Sequence, residues 1–278
     1  MKRKKISGLM LVALCCATGF AQEVNVSASG FFNNTQSNIK AVDSQATIGY
    51  GIGLGYRYYV NESWSIGTEV GYQHKELYFI NRNANGSWSS MDIEGDEYEF
   101  RYKTRNSKEY LTYNSVHIPL TIQYETKGTV KWYVQTGVGL SLKVGTSQAE
   151  VVMNDLHTSG YYPKWDAELT GPSFMGFGYK DHLSQKSDIK VENRYSWLFE
   201  TGIKQELGNK QSLYIGAFVD LGLNNLIKED NRVSNPISLS TNLDNPLVLH
   251  SVWKQERYKT QELKDYHIGI KLRYAFNL

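Results

Sequence analysis

Apolar and polar side chains alternate along the stretch from Ile48 to Tyr72. In its first arm Ile48, Tyr50, Ile52, Leu54, Tyr56, Tyr58 and Val60 share one face, and Gly49, Gly51, Gly53, Gly55, Arg57 and Tyr59 share the other. A period of two belongs to a strand, because successive Cβ atoms of an extended chain point to opposite sides. Asn61, Glu62 and Ser63 turn the chain, and Trp64, Ile66, Val70 and Tyr72 resume against Ser65, Gly67, Glu69, Gly71 and Gln73. The hairpin therefore has one oily, aromatic face and one face of glycine and charge. A soluble barrel would turn the oily face inward, and a membrane barrel turns it toward lipid. Alternate glycines on a solvated outer face would weaken a strand and pack against nothing. Inside a narrow barrel they leave room beside long charged side chains. Tyr56, Tyr58 and Trp64 suit a lipid–water boundary. Lipid outside is the expected arrangement.

The same alternation recurs. A first, weaker strand carries Val24, Val26 and Ala28 against Asn25, Ser27 and Ser29. A fourth runs from Tyr113 to Glu125, where Pro119 removes a ladder donor and predicts a bulge or local break. A fifth sets Trp132, Val134, Val138, Leu140, Leu142 and Val144 against Tyr133, Gln135, Gly137, Gly139, Ser141 and Lys143. A sixth follows from Arg194 to Lys204, a seventh from Leu213 to Gly222, and an eighth from Tyr266 to Leu278. The connections after strands two, four and six are short, whereas those after one, three, five and seven are long. An eight-stranded antiparallel meander then carries every short turn at one end and every long loop at the other. That is the plan of a transmembrane β-barrel of the outer-membrane type, with periplasmic turns and extracellular loops. The stretch from about Asn81 to Lys108 either extends its neighbouring strands as a ribbon or forms a solvated loop. The stretches Thr146–Asn193 and Asn224–Glu262 read as long loops. The aromatic residues of the former, among them Tyr161, Tyr162, Trp165, Phe174, Phe177 and Tyr179, suit a lid on the barrel mouth or a binding surface.

In the final strand Ile268, Ile270, Leu272, Tyr274, Phe276 and Leu278 share a face. An alternating apolar tail with a near-terminal aromatic resembles the insertion signal read by barrel-insertion machinery. Ile270, Leu272, Tyr274, Phe276 and Leu278 are the residues expected to carry it.

The N-terminus adds the compartment. Lys2, Arg3, Lys4 and Lys5 precede an apolar run from Ile6 to Leu14, and Gly19-Phe20-Ala21 places small residues where a signal peptidase reads them. Residues 1–21 are expected to be a signal peptide cut after Ala21, leaving 22–278 as one domain. Both cysteines, Cys15 and Cys16, fall in that segment, so mature disulfide or cysteine chemistry is not expected. The chain holds 30 Lys and Arg against 28 Asp and Glu. Removing the four basic residues of the signal leaves 26 against 28, so a net +2 becomes −2 and no nucleic-acid partner is implied. Tyr is abundant at 20 and Pro scarce at 5, which favours strands over disorder.

Several stretches occur here in one order: Gly51-Ile52-Gly53-Leu54-Gly55, Glu69-Val70-Gly71-Tyr72, the run from Val116 to Tyr124 around Pro119, and Asp220-Leu221-Gly222-Leu223-Asn224-Asn225-Leu226. With the terminal strand, they resemble the PorT-like outer-membrane β-barrel family of Bacteroidota. The resemblance covers the strands and not the long loops. It implies an outer-membrane barrel, and its namesake member assists protein secretion.

Inward positions hold Arg57, Glu69, Glu125, Lys143, Arg194, Glu200, Lys204, Asp220, Lys271 and Arg273. Eight strands enclose an interior just wide enough for side chains, so these charges are expected to pair as a structural network. A narrow or gated pore is the alternative. Catalysis ranks below both. Asp155, His157 and Ser159, then Asp181 and His182, then His250 and Ser251 lie near one another in sequence without an ordered triad or a nucleophile elbow. No two histidines stand at metal-ligand spacing, and Gly49 to Gly55 lie within a strand and open no helix, so no metal, nucleotide or other cofactor is expected. The expected function is that of a non-enzymatic barrel that anchors surface loops for binding or a structural role. The expected partners are outer-membrane lipid, the insertion machinery, and a surface ligand or envelope protein. An accessory of secretion or envelope assembly, a narrow pore and, last, a lipid-modifying enzyme are the alternatives.

Overall fold

The computed structural model describes residues 22–278 apart from 38, 40, 41, 229 and 230; the expected signal peptide and its cleavage point at Ala21 lie outside the described residues. Eight strands form a closed ring: β1 (Gln22–Ser37), β2 (Thr47–Tyr59), β3 (Trp64–Arg82), β4 (Asn106–Glu125), β5 (Val130–Tyr162), β6 (Arg194–Gly208), β7 (Gln211–Gly222) and β8 (Leu263–Asn277). Each pairs antiparallel with its neighbours in sequence, and β8 closes on β1 through pairs such as Val24 with Phe276. Closure removes the free edges that an open sheet would expose inside a bilayer.

Outward positions in the lower part of the ring are apolar and exposed, with Leu54 65% and Val70 58% accessible. A folded chain leaves so wide an apolar belt open only where lipid covers it. Trp64 lies 5.2 Å from Tyr124 at the turn end, and Tyr274 lies 5.0 Å from Phe276, so aromatic rings edge the belt. Among the described residues no helix is long and apolar enough to cross a membrane.

β3, β4 and β5 do not stop at the top of the belt. The inward row of β3 reads Glu69, Gly71, Gln73 and Lys75, then Leu77 and Phe79. The outward row reads Val70 and Tyr72, then His74, Glu76 and Tyr78. Alternation continues unbroken while its polarity reverses. Below the switch oil faces out; above it oil faces in. This upper part is walled in water and must bury its apolar side.

What fills it is the connection from β7 to β8. Its described residues fold inward as a small hairpin, Ile237–Leu239 with Leu247–Leu249, and two 3-10 turns, Val252–Lys254 and Glu256–Tyr258. Leu226, Ile227 and Trp253 from this plug pack with Leu77, Phe79, Leu111, Tyr113 and Ala149 of the walls, and Trp253 meets Phe79 edge-on at 5.3 Å. Each such large side chain contributes roughly 1.5–3 kcal/mol by leaving water. A second apolar group joins Ile237, Leu247 and Leu249 to Phe100, Val151, Met153 and Phe177.

The structure decides two open readings of the chain and corrects a third. The stretch from Asn81 to Lys108 is the ribbon, with a hairpin of Asn85–Met91 and Glu97–Lys103. Thr146–Asn193 is largely strand: β5 runs to Tyr162, and Gly178–Asp188 pairs back along it. Gly145 and Asp155, both at positive φ, interrupt its period of two and hide it. Pro119 causes no bulge. It stands opposite Gly139, and the register shift falls instead between Thr112 and Asn114. With no N–H, Pro119 leaves its place opposite Glu69 unbonded while the register to β3 continues on both sides.

Candidate functional site

The inward rows of the ring meet in three tiers of buried polar groups. In the tier nearest the turns, Lys204 on β6 donates to Glu23 at 3.1 Å, to Tyr59 at 2.6 Å and to Glu125 at 3.3 Å. Tyr214 donates to Glu23 at 2.6 Å, and Tyr59 to Glu125 at 2.7 Å. One ammonium is thus shared by two carboxylates, with phenol hydroxyls completing their hydrogen bonds. A buried charge requires that kind of satisfaction.

In the middle tier Arg273 donates to Glu200 at 2.6 Å, where Tyr133 also donates at 2.7 Å. Lys271 reaches Glu69 at 2.6 Å, which also accepts from Ser27. Arg57 bonds Ser65 and Gln135. Interior glycines make the space: a Cβ on Gly67 would stand 3.0 Å from the Arg57 guanidinium.

In the upper tier Arg194 bonds Asp265 and, at 2.8 Å, Asp220. Tyr113 and His267 each lie 2.9 Å from the second oxygen of Asp265. Lys75 is fully buried there, 5.8 Å from the centre of the Tyr113 ring. Between the middle and upper tiers lies a cavity of about 40 Å³ lined by Glu69, His117, Gln135, Glu200, Asp220 and Lys271 among others. That space suits a few water molecules and no continuous hydrated path.

Above the tiers the plug is tied to the wall by Glu109. Its carboxylate accepts from the Ser251 hydroxyl and, at 2.9 Å, from the Val252 N–H. Glu109 stands above the lipid belt. Burial pushes its carboxyl up to about 7, against the pull of those two hydrogen bonds and of Lys254.

The structure brings together Arg57, Glu69, Glu125, Arg194, Glu200, Lys204, Asp220, Lys271 and Arg273 inside the ring. Lys143 is not joined to them. It is half-buried midway along β5, opposite Ser115 and two residues before Gly145, and forms no ion pair among the described residues. Glu23, Tyr59, Asp265 and His267 are partners that the sequence reading left out of the network. Glu23 and Asp265 each lie just before the strand limits drawn from the apolar pattern, and counting that alternation one residue further places both inside. Of the C-terminal set, Ile270, Leu272 and Phe276 are exposed on the outer face of β8, Tyr274 is half-exposed there, and Leu278 follows the strand, its N–H donating to Gln22.

The loop candidates do not assemble into a catalytic group. Ser159 donates to Glu168, Asp155 accepts from Tyr179, and His182 meets Asn154. Two serine–histidine contacts exist, Ser141 with His117 and Ser238 with His250, but no hydrogen-bonded carboxylate stands behind either ring among the described residues. No group of three or more ligating side chains is placed to hold a metal among the described residues.

A closed ring with an apolar exterior and a charged interior is the geometry of an outer-membrane barrel, and the model of the outer membrane protein beta-barrel domain family matches residues 20–228. The chain belongs to that family. As a member it is an integral protein of the Gram-negative outer membrane, and its barrel is its anchor. Among solved structures it is similar to neisserial surface protein A, at 11% identity and TM-score 0.35 over 90% of this chain and 95% of that one. It is also similar to Ail, the attachment invasion locus protein of Yersinia pestis, at 10% identity and TM-score 0.30 over 90% and 97%. The outer membrane protein OprG of Pseudomonas aeruginosa gives 8% identity and TM-score 0.35 over 92% and 95%. No curated protein matches the chain.

Proposed function

We propose that the protein is a non-enzymatic anchor whose sealed barrel holds a rigid surface above the outer membrane for binding. The supporting observation is the filling of the lumen. Ion pairs occupy its width in three tiers, and the plug, through Leu226, Ile227 and Trp253, closes the mouth above them. A pore would need an open, wetted axis. Planar-bilayer recording tests the reading: the protein is expected to be silent, and sustained unit conductance would overturn it.

In the same reading the polar tiers are structural, and Ile270, Leu272, Tyr274, Phe276 and Leu278 are the insertion signal. The chain is exported as one domain after cleavage at Ala21, which N-terminal sequencing of protein from outer membranes would check. The likeness of Gly51–Gly55 and Val116–Tyr124 to the PorT-like family supports placing the chain there. A role beside secretion or envelope assembly is a second reading favoured by that likeness. It predicts that cross-linking in cells retrieves envelope machinery through the upper strands.

A further inference from the structure

The outer face of the upper sheet carries a built cleft. β5 pairs there with residues 97–103 on one side, and on the other with two separate segments, 178–188 and Ala167–Leu169. The change of partner falls at Ser159, since Thr158 pairs with Gly178 and Gly160 with Leu169. Ser159 has no strand opposite it on that side. The sheet opens into a cleft of about 520 Å³, a size that suits a small ligand.

The rows on either side of the gap are in register. Lys103, His157 and Tyr179 form one, and Glu99, Tyr161 and Glu168 the other, with Arg101 between them opposite Ser159. These side chains are held in place. The Tyr179 hydroxyl donates to Asp155 at 2.9 Å, and its ring leans on His157 with centroids 4.8 Å apart, yet the residue is 53% exposed. The Arg101 guanidinium lies 4.2 Å from the centre of the Tyr161 ring and pairs with Glu99 and Glu168. Lys103 is exposed and forms no ion pair among the described residues.

We infer that this cleft binds an acidic saccharide. The inference rests on the reading of the barrel as an anchor for a surface. A fixed, half-open tyrosine ring offers its negative face to the polarised C–H groups of a pyranose, and little conformational freedom is lost on binding. Ser159, Arg101 and Glu168 offer donors and acceptors to ring hydroxyls. Lys103 is the unspent cation for a carboxylate or sulfate on the sugar. A lipid headgroup does not reach the site. Ser159 lies fifteen residues beyond Val144, the last residue of β5 among the exposed large hydrophobics, on the order of 40–50 Å along the strand.

Calorimetric titration of the whole chain in detergent micelles tests this, with tetragalacturonate as the acidic probe and tetragalactose as the neutral one. Tetragalacturonate is expected to bind about tenfold or more tightly than the neutral probe, with Lys103→Ala and Tyr179→Ala each weakening it about tenfold and Tyr179→Phe far less. No heat with tetragalacturonate at millimolar concentration, equal binding of both probes, or an unaffected Lys103→Ala variant would overturn the inference. Competition by lipopolysaccharide from the same cells would uphold the site and assign the ligand to the cell's own surface. Lack of competition alongside tetragalacturonate binding would uphold it and assign an external glycan. A silent bilayer with no binding rejects this site and leaves the anchor standing, whereas conductance rejects the anchor.

Discussion

Glu109 and Val252 are 143 residues apart in the chain and joined by a hydrogen bond of 2.9 Å, the carboxylate on the barrel wall accepting from an N–H of the plug. The contact stands above the lipid, and the Glu109 side chain is buried. Its carboxyl is raised from an ordinary 4.5 to about 7, because burial disfavours the charged form. The closed state therefore binds more protons than an open one between those values. Its stability is full below about 4.5 and falls as pH rises through about 7, by an amount of a few kcal/mol at most. Hydrogen exchange at Val252 should be faster at pH 9 than at pH 5 after correction for intrinsic rates. Glu109→Gln should flatten that dependence. An equal pH dependence in both proteins would refute the assignment to Glu109.

Lys204 supplies the ammonium shared by Glu23 and Glu125. Lys204→Met leaves two buried carboxylates without it, and removal of one member of a buried pair typically costs about 3–5 kcal/mol. Urea unfolding in lipid vesicles should show a loss of that order, partly recovered by adding Glu125→Gln. A single variant as stable as the parent would mean that the tier does not hold the barrel.

The reversal of polarity along β3 makes like substitutions unlike in effect. Val70 and Glu76 both point outward, one within the belt and one above it. Val70→Lys should cost about 2–4 kcal/mol in vesicles, and Glu76→Lys within about 0.5 kcal/mol of nothing. Leu77→Ala, on the inner face, should cost about 2–5 kcal/mol by opening a cavity against the plug. Equal costs at positions 70 and 76 would place the top of the lipid elsewhere.

These three regions differ in how far they could be read from residues alone. The ring was legible because apolar residues at alternate positions and the segregation of short from long connections depend only on local order. The polar tiers were half legible. Parity places Lys204, Glu125 and Arg273 inside, but which carboxylate meets which cation depends on stagger around the ring. The plug was not legible. Leu226 and Trp253 sit in a polar stretch without a period, and their partners Leu77 and Phe79 lie on the face that holds Glu69 lower down. Only the fold shows that one face of β3 serves two media. The cleft at Ser159 was hidden for a related reason, since the break in alternation at Asp155, a residue at positive φ, changes which residues of β5 point outward.

The most direct test of that two-medium wall is a single-cysteine fluorescence scan along β3 in a background lacking Cys15 and Cys16, with brominated lipid as the quencher. Labels at 66, 70 and 72 should be quenched, labels at 76 and 78 should not, and labels at 69, 71, 77 and 79 should be shielded throughout. Quenching at 69 and 71, or quenching that continues to 76 and 78, would contradict a barrel that turns oil outward in the membrane and inward above it.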